Sequence, residues 1–474
     1  MNRARAQRGF LLAFVLLAAL AALVWAVGRY GHVSISAGIV HWLWRLSVVA
    51  FAGYAVMMRR SLTAWIFLGM LVGAEVGYDL KFLDDATRLR YAANLQILSS
   101  IFLRLIKTIV APLIFGTLVV GIAGHSNLKQ VGRMGIKALI YFEAVTTLAL
   151  FIGLAAINIS KAGVGVPHTA AAAALPATQP EKGMDIILKI FPENIAKAVA
   201  DAQVLQVVVF SIIFAIALAQ ISEEKRRPML AFCESLSEVM FKFTNIVMGF
   251  APIGVLGAMA FTIGTMGLDV LKNLLALVAT LYASLAVFLA CVLLPVALLA
   301  RLPVKRFIKA VAEPVSIAFA TASSESALPR AMEQMEAFGV PRRIVAFVLP
   351  TGYSFNLDGS TLYLSLAAIF VAQAGGMHLS FGQQLVIVLT LMLTSKGVAG
   401  VPRAMLVILT GTVDSFHLPV WPVAMIFGID QLMDMARTAT NVLGNCLATA
   451  VIARWEGELG KATPSATVMD AVAR

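Results

Sequence analysis

Charge is what this sequence has least of. Only 13% of its 474 residues are Asp, Glu, Lys or Arg, against about a quarter in an ordinary soluble domain. With 60% hydrophobic residues as well, the soluble classes drop out and an integral membrane protein remains. Cysteine is scarce too. Cys233, Cys291 and Cys446 are scattered through apolar segments, with no spacing that reads as a disulfide framework or a metal site. They are expected to be packing residues. No HExxH, GxSxG or Walker A pattern occurs, so the usual membrane enzymes have no signature here and no enzymatic activity is expected.

A net charge of +12 could point to nucleic acid, yet the basic residues do not gather into one patch. Arg3, Arg5 and Arg8 come first, then Arg59 and Arg60, then the runs "LKQVGR", "EEKRRP" and "RLPVKRF", all between apolar stretches. Cytoplasmic loops of a polytopic protein look like this. Lipid is the expected surroundings, and nucleic acid is not an expected partner.

The first apolar run, "GFLLAFVLLAALAALVWAVG" (9–28), resembles a signal peptide. It is long enough to span, however, and no small-residue cleavage site precedes a polar start. A second run, 36–57, is interrupted by His41 and Arg45. The two predict an N-terminal transmembrane hairpin over 1–60. Further spans are predicted near 62–78, 94–123, 137–160, 204–221, 230–260 and 272–300. Arg3, Arg5 and Arg8 place the N-terminus inside, and the remaining basic loops then fall inside as well. The Ala/Pro-rich stretch within 161–200 is expected to be an external spacer, and 459–474 a cytoplasmic tail.

The last third breaks this pattern. Residues 305–335 and 380–415 are apolar enough to enter a membrane, yet they are interrupted at "TASSESALP" and "TSKGVAGVP". A lipid-facing helix cannot break there, because freed backbone groups find no water. Two interrupted segments in corresponding positions predict re-entrant hairpins meeting at a binding site. The span between them, 341–374, breaks at "GYSFNLDGS", with Asn356 and Asp358 in the break. A fourth irregular element is "DMARTATNVLGN". On a helix, Asp430, Asp434, Arg437, Thr438, Asn441 and Asn445 form one polar stripe. An unpaired charge near the bilayer centre costs about 2.5–3.5 kcal/mol, so the stripe should face a protein interior.

Arg437 cannot lose its charge, and its planar fork suits a carboxylate. Asp434, one turn earlier, could accept hydrogen bonds from an ammonium. Together they fit an acidic amino acid. Hairpin tips rich in backbone N–H groups, such as Ser323–Ser324 and Gly400–Val401, would hold the second carboxylate. Asp358, Asn356 and broken-helix carbonyls are hard oxygen ligands for a small cation. A blander account has Asp434 and Arg437 simply neutralise each other. Glu143, in "YFEAVTT", is either a proton carrier or a hydrogen-bonded helix contact.

"ASSESALP" (322–329), "PTGYSFNLDGS" (350–360), "SKGVAGVP" (395–402) and "DMARTATNVLGN" (434–445) resemble the dicarboxylate/amino acid:cation symporter family, the bacterial relatives of glutamate transporters. "RLIKTIVAPLIFGTLVVGIAG" (104–124) is similar to an early span of that family. The similarity runs from about residue 61 to 458 and leaves the N-terminal hairpin outside.

The resemblance implies an all-α, glutamate-transporter-like fold with two re-entrant hairpins and broken helices. Scaffold spans would lie at 62–125 and 180–260, and transport elements at 137–160 and 272–458. It also implies a homotrimer whose transport domains slide like elevators, gated by the second hairpin, in the plasma membrane of a bacterium. By that resemblance Arg437 would bind the side-chain carboxylate and Asp434 the amino group. Thr438, Asn441, Ser360, Ser323, Ser324, Val401 and Pro402 would complete the substrate pocket. Gly352, Ser354, Asn356, Asp358, Asn441 and Asn445 would fall at cation positions. Asp434 favours glutamate or aspartate over C4-dicarboxylates such as succinate.

Departures from the family pattern bear on the coupling ion. Strongly sodium-dependent members carry an aspartate where Asn445 stands, and a tyrosine and a threonine where Phe142 and Val145 stand. The vertebrate-type proton-carrying glutamate would fall at Leu364. An arginine that some members place at the first hairpin tip is replaced by Ala322, and Met435 does not supply it. Arg403 stands where a glycine is common. No cofactor is implied beyond a coupling ion, H+ or Na+. The expectation is a proton-driven importer of glutamate and aspartate. A sodium-coupled or C4-dicarboxylate symporter is the alternative, and an anion-conducting channel a more distant one, since the polar groups cluster at one depth.

Overall fold

The structure is a computed structural model that describes residues 2–30, 37–58, 61–123, 128–166, 191–200, 204–395, 404–416 and 418–460. No strand occurs among the described residues. In chain order the helices are α1 (Asn2–Tyr30), α2 (Ala37–Met57), α3 (Leu62–Leu80), α4 (Asp85–Ala123), α5 (Leu128–Ser160) and α6 (Ile195–Ala200). Then come α7 (Val204–Gln220), α8 (Glu223–Met248), α9 (Ala251–Met266) and α10 (Val270–Phe288). One π turn, Leu289–Leu293, joins α10 to α11 (Leu294–Leu299), where Pro295 has no N–H to continue the α pattern. The rest are α12 (Val304–Thr321), α13 (Ser324–Phe338), α14 (Arg342–Phe355), α15 (Asp358–Ala374), α16 (Phe381–Thr394), α17 (Ala404–Ser415) and α18 (Trp421–Trp455).

Six segments among the described residues are long and apolar enough to cross a membrane: Ala6–Val24, Gly38–Met57, Asp85–Val120, Met134–Ser160, Val270–Leu299 and Arg342–Ala374. One expected span changes form. Instead of a single helix over 230–260, α8 ends at Met248 and α9 begins at Ala251. Pro252 sits in the first turn of α9, where its missing N–H is harmless, whereas it would interrupt a continuous helix.

The helices fall into two compact units. The first comprises Met1–Leu103 and Gly249–Val270. In it α1 packs along α2, with the Phe14 and Phe51 rings 4.9 Å apart. Leu12, Val15, Leu16, Leu20 and Leu23 of α1 are exposed, as suits a helix wetted by acyl chains. The tightest seam joins α3 to α9. A Cβ at Gly69, Gly73 or Gly77 would lie 2.3, 2.4 or 2.8 Å from the carbonyl oxygens of Pro252, Leu256 and Ala260. One glycine per turn lets the two backbones touch, which in lipid replaces the missing hydrophobic drive.

The second unit comprises Arg104–Met248 and Leu271–Arg474. Its centre is α18, buried almost without a break from Pro422 to Ala453, and α15 is buried just as fully. Packed against α18 are α12, α13, α14 and α15, while α5 lies along α15. The expected break at "TASSESALP" is there. Ala322 takes the left-handed conformation that ends α12 (φ 50°), and the Ser323 side chain accepts from the Ser326 N–H at 3.3 Å to start α13. Such a serine cap satisfies one of the helix's orphan donors. Helices α16 and α17 also pack together. The stretch between them, Lys396–Arg403, lies outside the described residues.

Candidate functional site

The site grows from the break between α14 and α15. Asn356 (φ −119°, ψ 71°) and Leu357 (φ −101°, ψ 58°) leave the helical region, so the first N–H groups of α15 have no partner in their own helix. Asn441, on α18, supplies one. Its Oδ1 accepts from the N–H of Gly359 at 2.8 Å and of Ser360 at 3.2 Å. Its Nδ2 donates to Ser360 Oγ at 2.8 Å. Gly359 permits the approach, since a Cβ there would lie 2.5 Å from the Arg437 carbonyl oxygen.

One turn further along α18, a second group assembles. Asn356 Nδ2 donates to Asp358 Oδ2 and to Asn445 Oδ1, each at 3.2 Å. All three residues are buried. Gly352 and Gly444 make the room: a Cβ would stand 2.2 Å from Asn445 Oδ1 at the first and 2.0 Å from Asp358 Oδ2 at the second. Phe142 of α5 borders this group, its Cζ 3.5 Å from the Gly352 Cβ position. Carboxylate and amide oxygens gathered in a buried space are what a hard cation or a proton requires.

Toward the start of α18 lies Arg437, only 1% exposed. Its Nε donates to Asp434 Oδ1 at 2.9 Å, and its two terminal nitrogens to the carboxylate of Asp430 at 3.0 and 3.4 Å. Tyr363 of α15 lies face-on, its ring centre 4.2 Å from the guanidinium carbon, a cation–π contact. Thr438 Oγ1 donates to Asp434 Oδ1 at 3.2 Å. The mutual neutralisation of Asp434 and Arg437 is thus real but incomplete. With both carboxylates ionised, Asp430 and Asp434 outnumber the single guanidinium. Both carboxylates and the guanidinium lie on one buried face of α18.

The structure thus brings Ser360, Asp434, Arg437, Thr438 and Asn441 together, and Gly352, Asn356, Asp358 and Asn445 beside them. Ser323 and Ser324 form the half-buried tip of the α12–α13 hairpin, and the Ser323 hydroxyl is committed to its cap. Ser354 lies in the last turn of α14, and its side chain is outside the described residues, as are Val401 and Pro402 altogether. Glu143 lies on the exposed face of α5, whereas its neighbour Phe142 is buried. Three participants were not singled out for the site. Asp430 was visible as part of the polar stripe, but Tyr363 and Gly444 carry no signal until α15 is laid on α18.

Residues 62–455 match the model of the sodium:dicarboxylate symporter family. The chain is 42% identical to a proton/sodium-glutamate symport protein of Bacillus caldotenax, over 85% of this chain and 96% of that protein. It is 43% identical to the proton/glutamate-aspartate symporter of Escherichia coli (strain K12), over 84% and 94%. To a C4-dicarboxylate transport protein of Anaeromyxobacter sp. (strain K) it is 39% identical, over 88% and 94%. The protein is a multi-pass membrane transporter and not an enzyme, and the chain belongs to the sodium:dicarboxylate symporter family.

Proposed function

We propose that this symporter imports glutamate and aspartate together with protons. The observation that carries the reading is the buried face of α18, where Arg437 and Asp434 stand three residues apart at 2.9 Å. The guanidinium offers a fork to the substrate's side-chain carboxylate, and Asp434 accepts from its ammonium. Thr438, Asn441 and Ser360 border the same pocket. Backbone N–H groups at the tips around Ser323–Ser324 and Gly400–Val401 take the remaining carboxylate. A C4-dicarboxylate lacks the ammonium and leaves Asp434 without a partner, at the cost of an uncompensated buried charge.

Coupling follows from adjacency along α18. A cation at Gly352, Ser354, Asn356, Asp358 and Asn445 fixes the 356–360 break. That break is bonded to Asn441, one turn from Arg437. An occupied cation site therefore holds the substrate pocket in shape. Asn445 is a neutral amide, and Phe142 and Val145 offer no oxygen from their side chains, so Asp358 is the one anionic side chain in this set. That suits a proton better than a metal ion, which several oxygens must hold at once. The α12–α13 and α16–α17 hairpins are read as re-entrant, the second as the gate. In a homotrimer, the unit carrying α18 moves through the membrane like an elevator.

Radiolabelled glutamate uptake into proteoliposomes tests this. An imposed pH gradient without sodium is expected to drive accumulation, which excess aspartate suppresses more strongly than succinate. Uptake that needs a sodium gradient would keep the substrate pocket and overturn the choice of ion. Stronger suppression by succinate would overturn the amino-acid reading.

A further inference from the structure

A second, half-buried charge cluster joins α2, which lies outside the residues that match the family model, to α3, which lies inside them. His41 and Arg45 stand four apart on one face of α2, and Glu75 and Asp79 stand four apart on α3, so each pair projects toward the other helix. Arg45 donates from Nε to Glu75 at 3.3 Å and from a terminal nitrogen to both oxygens of Asp79 at 2.6 and 2.7 Å. His41 Nε2 lies 3.7 Å from Glu75 Oε2 and 3.5 Å from Asp79 Oδ1. It is shielded from solvent and has no hydrogen-bond partner. The Tyr78 ring covers the imidazole at 4.9 Å.

The charges count out simply. Two carboxylates against one guanidinium leave the quartet one positive charge short while His41 is neutral. A proton on Nε2 balances it and points at two carboxylate oxygens that are already in range. A metal ion suits it less, because the Arg45 guanidinium already occupies both oxygens of Asp79 and would repel the ion.

We propose that His41, Glu75 and Asp79 form a proton-binding site, separate from the transport site, which fastens the N-terminal hairpin to α3 when it is occupied. Histidine is the side chain whose charge changes between about pH 5 and 8. The other groups facing His41 are Arg45 on α2 and Glu75, Tyr78 and Asp79 on α3. Beyond Tyr78 lies Lys81, whose Nζ sits 3.8 Å over that ring. Helix α9, which packs on α3, has no titratable side chain. Helix α1 ends in Arg29 and Tyr30, whose side chains are outside the described residues. With the N-terminus inside, this end of α2 and α3 faces the exterior, where an importer driven by protons meets acid.

Thermal unfolding of the full chain in lipid nanodiscs, followed by tryptophan fluorescence at about pH 5.5 and pH 8, tests the proposal. The wild type is expected to melt lower by about one or two degrees at the higher pH, as the proton leaves a net negative charge half-buried between the helices. Glu75→Gln leaves Arg45 and Asp79 balanced without a proton, so most of that pH dependence should disappear while the fold is kept. His41→Gln should lose it as well, and should melt like the wild type at the higher pH. Equal pH dependence in the wild type and Glu75→Gln would overturn the proposal, even if His41→Gln failed to fold. So would one equivalent of zinc retained by the wild type after incubation with the ion alone and desalting, and absent from His41→Gln. Both variants should transport like the wild type, and a loss of uptake in Glu75→Gln would refute the separation from the transport site. None of these outcomes depends on which substrate or ion is carried.

Discussion

Arg45 and Arg437 each meet two carboxylates, but from different directions. The partners of Arg45 are Glu75 and Asp79 on a neighbouring helix, and the arginine side chain is 34% exposed. Those of Arg437 are Asp430 and Asp434 on its own helix, and it is 1% exposed. An interhelical pair ties two rods together. Ion pairs within one helix do not fasten it to another; they keep three side chains in fixed mutual geometry wherever the rod goes. Partly exposed ion pairs contribute little, about 0–1 kcal/mol, and a buried one is weak evidence for stability because desolvation offsets the attraction. A fully buried set whose ion pairs all lie within one helix fits the proposed substrate site better than a fastening between helices.

The comparison breaks most visibly at Arg437. Its replacement by alanine leaves Asp430 and Asp434 buried without their cation, a loss on the scale of about 3–5 kcal/mol when one partner of a buried pair is removed. Uptake of acidic amino acids by Arg437→Ala should fall at least about a hundredfold, since each 1.4 kcal/mol is a factor of ten. Arg437→Lys should rescue little, because an ammonium lacks the fork. Size-exclusion elution like that of the wild type would show that the protein still assembles. Normal uptake by either variant would sink the assignment of α18 as the substrate helix.

A smaller but sharper effect is expected at Gly444. Alanine there gains about 1 kcal/mol of helix propensity, yet its Cβ would lie 2.0 Å from Asp358 Oδ2. Overpacking of this kind costs about 1–3 kcal/mol, and the carboxylate must move from its place beside Asn356. Uptake by Gly444→Ala should drop by roughly tenfold or more, with a steeper dependence on the driving cation. Wild-type transport would mean that Asp358 need not sit against α18 for coupling.

How much of this was legible in the sequence follows from its chemistry. Periodicity located the helices because apolar runs long enough to span are hard to mistake. The stripe from Asp430 to Asn445 was readable because a helix fixes angles, so side chains on one helix need no tertiary information. The breaks at "TASSESALP" and "GYSFNLDGS" were readable because Ser, Gly and Pro interrupt apolar runs. What could not be read depended on which helix lies against which. Tyr363 over Arg437, Asn441 capping the start of α15 and the clearance that Gly444 provides all arise between elements distant in sequence. The break between α8 and α9 was missed because "MGFAP" is apolar and looks continuous to a hydropathy count. His41 and Arg45 were noticed only as interruptions, since their partners, Glu75 and Asp79, lie on the next helix.

Replacing Asp434 is expected to separate substrates rather than abolish transport. Asp434→Ser removes the acceptor proposed for the ammonium while Asp430 still holds the guanidinium through two bonds. Glutamate affinity should fall by more than that for succinate, by a margin of about tenfold for one charged hydrogen bond. Competition by unlabelled glutamate and succinate against labelled aspartate measures it. Equal losses for both would make Asp434 a mere orienting partner of Arg437, and the two arginine sites would then differ only in burial.

The smallest effect is expected at Arg45. Arg45→Ala removes the cation between α2 and α3, but Asp79 is 46% exposed and water can solvate what is left. A loss of about 1 kcal/mol or less is expected, seen as a small drop in melting temperature, with glutamate uptake unchanged. Should uptake fall as far as in Arg437→Ala, the N-terminal hairpin would belong to the transport machinery, and the contrast between an arginine that fastens and one that binds would fail.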